Sequence, residues 1–450
     1  MGEFKEDQFD AILSSLIEWI TPHMNEIHEL NHSQIFWGRI MRKHLKGCIY
    51  RMDPLSVKVY NHRLVFVNSQ AFNIPTIKQE IVNAFWFLLR NFKMSESRNI
   101  KYLLTDSPNV FIGPRSEMIS KYINGVDLGV LKMFKFGFES KSRKRLKRIA
   151  KLESSIFKKN ILYNMPLIYV EFFKSNYKSI PVIKSEEKIF HFEHVNSYTN
   201  ELLLAKYMEN GSKLIGYQCG FGPGEMRNSP TSLDYLIIDK YRTYGWKIHP
   251  KDDPFIALRL VELKEKYDSF KGGGYGDIVI MYRPMNYLRK EAYYNNTKRF
   301  LEIINKTEYS RIVLRPKPIS KRIDNSAQLK YFDFLNKLNV TIDPGKSPVY
   351  ELIANCRVMV HLDHPTTNFY ECVFVNHPVV ALLTNINPTD IIEKYYNFFL
   401  EKKVLHTTVD SLVDHLNSTN ISEWWTGIID EPIFKEYKSI FASDLIPDNL

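Results

Sequence analysis

The chain has 450 residues, enough for two or three domains with ample core. Apolar residues make up 44% and charged residues 25%, which excludes a disordered class, and no apolar run reaches the length that spans a bilayer. The net charge is +11, part of it concentrated in Lys141–Arg148. That run suits anionic lipid, a polyanion or a solvated helix face. No zinc-finger, RRM or helix-turn-helix pattern accompanies it, so no nucleic-acid partner is expected.

The first residues, Met1-Gly-Glu-Phe-Lys-Glu-Asp7, are acidic where a signal peptide is basic, so a cytoplasmic protein is expected. Lys141–Arg148 would permit contact with the inner face of the cell membrane. The four cysteines, Cys48, Cys219, Cys356 and Cys372, show no zinc-type spacing; Cys356 and Cys372 are expected in the core. No metal site is expected.

In chain order, Ala84–Phe92 reads as a helix, and Lys101–Leu104 and Ile189–His194 as strands. Lys213–Gln218 is a strand that feeds the glycine-rich loop Cys219–Gly224, and Tyr235–Asp239 reads as a strand ending in an acid. Lys271–Gly276 precedes a strand rather than following one, so it reads as a linker and not as a dinucleotide fingerprint. Beyond it the pattern is regular. Strands at Asp277–Tyr282, Arg311–Pro316, Val340–Asp343, Val358–Leu362 and Pro378–Leu383 alternate with helices at 294–305, 327–338, 347–355 and 366–375. Ser347 is expected as the N-cap of the third helix, with Pro348 in its first turn. Such alternation means a parallel sheet covered on both faces, with ligands at the carboxyl ends of its strands.

The chemistry-bearing residues collect at those ends. Arg283 follows the first strand, Arg315 and Lys317 the second, and Thr366 and Thr367 open a helix after the fourth. Cations and paired hydroxyls at a helix start suit a diphosphate or phosphodiester. Glu371, one turn deeper, is expected to meet ribose hydroxyls. In the first half, Gln218 and Gly220 begin a loop that lets backbone approach a ligand. Glu225 and Asp239 are the candidate general bases, with Glu225 preferred and His32, His191 and His194 in reserve.

Two α/β domains, a linker and a phosphate-binding edge resemble a GT-B glycosyltransferase: two Rossmann-like domains facing across a cleft. The expected division is 1–270, the acceptor side; 271–421, the nucleotide-donor side; and a tail, 422–450, packing back on the first domain. Asn31-His32-Ser33 with Trp37, Gly216-Tyr-Gln-Cys-Gly-Phe-Gly222, Ile238–Trp246 and Ser347–Pro378 resemble the signatures of the LIC-type transferases. That family is bacterial, GT-B-like and linked to surface carbohydrate, and the resemblance runs from about Asn31 to Pro378. Cys219 stands where the family usually has His, which puts any role of that His in doubt.

The resemblance implies transfer of a sugar from a nucleotide-activated donor to a glycan, lipid-linked or protein acceptor. Arg315-Pro-Lys-Pro318 and His364-Pro-Thr-Thr367 look like motifs of bacterial sialyltransferases and Kdo transferases, which points to a CMP-activated ulosonic acid. The donor is a substrate, and no further cofactor is implied. A phosphotransferase of the CDP-glycerol type and a non-catalytic nucleotide or polyanion binder remain the alternatives.

Overall fold

The structure is a computed structural model. It describes residues 6–49, 57–60, 63–66, 109–112, 126–129, 137–180, 188–192, 198–218, 220, 222–225, 232–270, 277–282, 287–304, 312–316, 340–343, 347–384 and 388–443. The expected helices at 84–92 and 327–338, the strand at 101–104, the linker 271–276, and Arg283, Lys317, His194 and Cys219 lie outside those residues. Contacts divide the chain into two compact units: Met1–Tyr217 with Pro230–Arg242, and Gln218–Ser229 with Thr243–Leu450.

The first unit opens with two helices, α1 (Glu6–His28) and α2 (Gln34–Ile49), and a two-stranded antiparallel hairpin, β1 (Val57–Tyr60) and β2 (Arg63–Phe66). Strands β3 (Asn109–Ile112) and β4 (Val126–Gly129) follow, then helices α3 (Ser140–Leu152), α4 (Ile156–Tyr163) and α5 (Phe173–Ser179). The unit closes with β5 (Ile189–Phe192), α6 (Tyr198–Met208), β6 (Lys213–Tyr217), α7 (Ser232–Leu236) and β7 (Lys240–Thr243). The strands β4-β3-β5-β6-β7 neighbour one another in that order, all parallel. Leu202, Leu203 and Leu204 of α6 are fully buried with Phe36 and Trp37 of α2. Arg39 of α2, also fully buried, meets Glu201 of α6 at 3.1 Å. A buried cation of this kind requires such a partner, which fixes α2 on α6.

One expected strand is overturned here. Tyr235 lies in α7, and Asp239 precedes β7 instead of ending a strand. Its carboxylate accepts from the Leu214 amide at 2.7 Å, at the amino-terminal edge of the parallel sheet. A run as short as Tyr235-Leu-Ile-Ile238 carries no period that separates strand from helix.

The second unit contains β8 (Asp252–Pro254), α8 (Leu258–Ser269), β9 (Asp277–Tyr282), α9 (Tyr287–Ile303), β10 (Ile312–Pro316), β11 (Thr341–Ile342) and α10 (Val349–Asn355). It continues through β12 (Cys356–His361), α11 (Thr367–Phe374), β13 (Val379–Leu382), α12 (Asp390–Glu401), β14 (Leu405–His406), α13 (Val409–Ser418), α14 (Ile421–Ile429) and α15 (Pro432–Phe441). The strand order is β11-β10-β9-β12-β13-β14, every pair parallel. Numbered within the sheet this is 3-2-1-4-5-6, the doubly wound dinucleotide-binding order, and its switch point falls between β9 and β12. Ile278, Ile280, Val358, Val360 and Val380 are buried, as strands covered on both faces must be. Cys356 and Cys372 are buried as expected.

Three expectations differ in detail. Pro348, not Ser347, is the N-cap of α10. The boundary expected at 270 gives way to one in which Gln218–Ser229 and Thr243–Ser269 fold with the second unit. The described tail helices also find partners there. Trp425 donates to the Asn376 carbonyl at 2.8 Å, and the Tyr437 ring stacks on Tyr370. Among the described residues no helix is long and apolar enough to cross a membrane.

Candidate functional site

The switch point of the second unit is where a doubly wound sheet receives a ligand, and the turn after β12 supplies its polar groups. β12 ends at His361, and Leu362-Asp-His-Pro365 leads into α11. Thr366 is the helix N-cap in extended backbone, yet its hydroxyl does not cap the helix. It lies instead 3.3 Å from His361 Nδ1. Thr367, at the first helical position, is half-buried.

Asp363 fixes the turn. It accepts from the Thr384 hydroxyl, just after β13, at 2.6 Å, and pairs with His364 Nδ1 at 3.2 Å. Burial alone would raise the Asp363 carboxyl, but the His364 ring beside it and the hydrogen bond from Thr384 hold it at about 2. His361 is buried, and burial with the neighbouring His364 lowers it to about 3, so it is a neutral imidazole. Its Nε2 has no hydrogen-bond partner among the described residues. His361 therefore contacts the first of the paired threonines, and Asp363 with His364 forms the turn that leads into them. The sequence held them in plain view, His361 and His364 three residues apart across the strand end, but gave no sign that Asp363 would orient one of them.

The glycine-rich loop reaches this turn from a distant part of the chain. A Cβ on Gly220 would lie 2.6 Å from Thr367 Oγ1, inside any normal contact. Only a residue without a side chain allows that approach. Gln218, by contrast, is a staple of its own loop. Its amide donates to the Gly220 carbonyl at 3.0 Å, and its oxygen accepts from the Tyr244 amide at 2.9 Å and Trp246 Nε1 at 2.8 Å. Gly224, with φ +83°, packs so that a Cβ would strike the Trp246 ring at 2.4 Å.

Other expected site residues are placed differently. Arg315 lies on β10, one strand beyond β9, and its guanidinium donates to Asp343 and to the Ser347 carbonyl, each at 2.6 Å. Asp343, just after β11, is thus its carboxylate partner, and no contact with Thr366 appears among the described residues. Glu371 is buried and accepts from Arg259 of α8 at 2.7 and 3.1 Å, while Asn368 donates to its other oxygen. It anchors α8 to α11.

Glu225 has no exposed surface. It accepts from Tyr437 at 2.7 Å and Tyr396 at 3.0 Å. Burial raises its carboxyl to about 7, against hydroxyl hydrogen bonds from Tyr370, Tyr437 and Tyr396 that lower it. The acid thus ties the loop to α11, α12 and α15 inside the second unit, enclosed rather than open to solvent. In the first unit, His32 is bracketed by Tyr177 at 3.0 Å and Glu209 at 3.3 Å, and His191 by Tyr217 at 2.9 Å and Asn109 at 3.2 Å. Both imidazoles are lowered by burial, His191 to about 4.

Solved structures that align with the chain include the UDP-GlcNAc 2-epimerase from Methanocaldococcus jannaschii, at 11% identity over 70% of this chain and 93% of that one, with a TM-score of 0.35. The wall teichoic acid polymerase TagF aligns at 13% identity over 80% and 93%, with a TM-score of 0.36. An α,α-trehalose-phosphate synthase (UDP-forming) from Burkholderia vietnamiensis aligns at 9% identity over 75% and 96%, with a TM-score of 0.40. No curated protein sequence matches the chain. The LIC12162 family transferase matches residues 90–444, and the chain belongs to that family.

Proposed function

We propose that this transferase moves a glycosyl group from a nucleotide-activated donor, whose phosphate binds at the turn between β12 and α11. The single observation that carries the reading is the approach of Gly220 to Thr367 at the switch point of a 3-2-1-4-5-6 sheet. A helix start supplies positive potential, Thr366 and Thr367 supply hydroxyls, and the glycine lets backbone close over the ligand.

His364 would serve the departing nucleotide. Asp363 pairs with Nδ1, and the ring in its protonated form would offset the charge that builds on the phosphate. We favour a CMP-activated ulosonic acid as donor, because the turn resembles that of transferases using such donors, and a bacterial surface glycan or glycoconjugate as acceptor. A thermal-shift screen against CMP, CDP, UDP and GDP tests the site, since a ligand of the native state raises Tm. Turnover of the matching nucleotide sugar tests the reaction. Nucleotide binding without turnover of any donor would reduce the chain to a nucleotide binder.

A further inference from the structure

Helix α3, Ser140–Leu152, contains no carboxylate, and its charges fall into two groups. Arg143 and Arg145 turn inward to the fold: Arg143 donates to Glu171 at 2.6 and 2.8 Å, and Arg145 pairs with Glu29. Lys141, Lys144, Lys147, Arg148 and Lys151 are exposed, and among the described residues no carboxylate pairs with them. At helical spacing these five lie within an arc of about 120°. The opposite side, Ser142, Leu146 and Ala150, is buried. Five cations on one narrow face repel one another, and no contact among the described residues holds them there.

Exposed apolar side chains lie at both ends of the same helix. Leu152, at the end of α3, is 87% exposed and falls at the edge of the cationic arc. Phe138, just before the helix, is 64% exposed, and Ile156, at the start of α4, is 50% exposed. Large apolar groups exposed at both ends of a cationic strip about 20 Å long are the composition of an interfacial helix.

We propose that α3 docks on an anionic phospholipid bilayer. The five cations meet headgroup phosphates, and Leu152, Ile156 and Phe138 enter the boundary between headgroups and acyl chains. A nucleic acid would be attracted by the same cations but gains little from exposed aliphatic chains, so lipid is the partner that uses both features. The surface is independent of the transferase site, and its test does not depend on the donor.

The test is flotation of the full chain with phosphatidylcholine vesicles and with vesicles that also contain phosphatidylglycerol. The parent should bind the anionic vesicles alone, and less as salt rises. Lys144→Gln/Lys147→Gln/Lys151→Gln should weaken that binding roughly hundredfold, since each cation near an anionic surface contributes about fivefold. Leu152→Ser/Ile156→Ser should weaken it several-fold with the salt dependence retained. All five positions are exposed, so these variants should keep the parent's circular dichroism. Equal binding of the parent to both vesicle types, or to neither, overturns the proposal. So does full binding by Leu152→Ser/Ile156→Ser with displacement by a single-stranded oligonucleotide, which would make the face a general polyanion site.

Discussion

Gly220 and Thr367 are 147 positions apart in the sequence and in contact in the fold: a Cβ on the first would lie 2.6 Å from the hydroxyl oxygen of the second. This contact joins the glycine-rich loop to the start of α11. Gly220→Ala should therefore lower Tm and weaken nucleotide binding together. Thr367→Ser keeps the hydroxyl but frees it to rotate, so the double variant should recover part of the lost Tm. Additive losses, measured by thermal denaturation of all four proteins, would mean the two residues do not touch.

The carboxyl of Glu225 is raised to about 7 from an ordinary value of 4.5. The folded state therefore holds that proton more tightly than the unfolded chain does. Its contribution is fully present below about pH 4.5 and is lost as pH rises through about 7. Glu225→Gln is neutral throughout, so its denaturation midpoint should fall less than the parent's between those limits. Parallel pH profiles for the two proteins would contradict the buried, tyrosine-bound acid. Single-turnover transfer by the same variant shows whether Glu225 also takes part in chemistry; its enclosure predicts a rate close to the parent's at low pH.

Asp363 works in the opposite direction. Its carboxyl is held at about 2, below the ordinary 3.8, so its contribution is present above the ordinary value and is lost as pH falls through about 2. Asp363→Asn at neutral pH should cost about 1.5–3 kcal/mol, the range for a hydrogen bond to a charged group. It should also slow transfer by releasing the His364 ring. His364→Asn should slow transfer with a smaller loss of stability, a split that chemical denaturation and single-turnover assays resolve.

Arg259 and Glu371 form the pair that holds α8 on α11. Arg259→Ala leaves a buried carboxylate with one partner fewer, at a cost of about 2 kcal/mol after allowance for the partial exposure of the arginine. Adding Glu371→Gln should then cost less than it does alone. Equal effects in both backgrounds, measured by urea denaturation, would show that the pair is not coupled.

The second sheet was legible in the sequence because its strands are buried on both faces and read as unbroken apolar runs. Asp277–Tyr282 agrees residue for residue with β9, and Arg311–Pro316 and Pro378–Leu383 each differ from β10 and β13 by a residue or two at the ends. The strand order was not legible, because parallel pairing is set by crossovers and not by local pattern. Tyr235–Asp239 failed for want of length. The polar site was half legible: the hydroxyl pair and the glycine loop carry local signatures, and the structure brings them together. The fates of Arg315 and Glu371 were hidden, because Asp343 and Arg259 reach them only through tertiary contact. Glu225 looked available after a run of glycines, and the three tyrosines that enclose it come from helices far along the chain.

The central claim is that a nucleotide phosphate binds at the turn between β12 and α11, and calorimetric titration of the parent and of Thr367→Val tests it most directly. The substitution removes one hydroxyl and preserves shape, so it should weaken binding of the nucleotide found by thermal shift by roughly tenfold, the effect of one lost charge-assisted hydrogen bond. A Kd for Thr367→Val equal to the parent's, with Tm also unchanged, would place the nucleotide elsewhere and contradict the account.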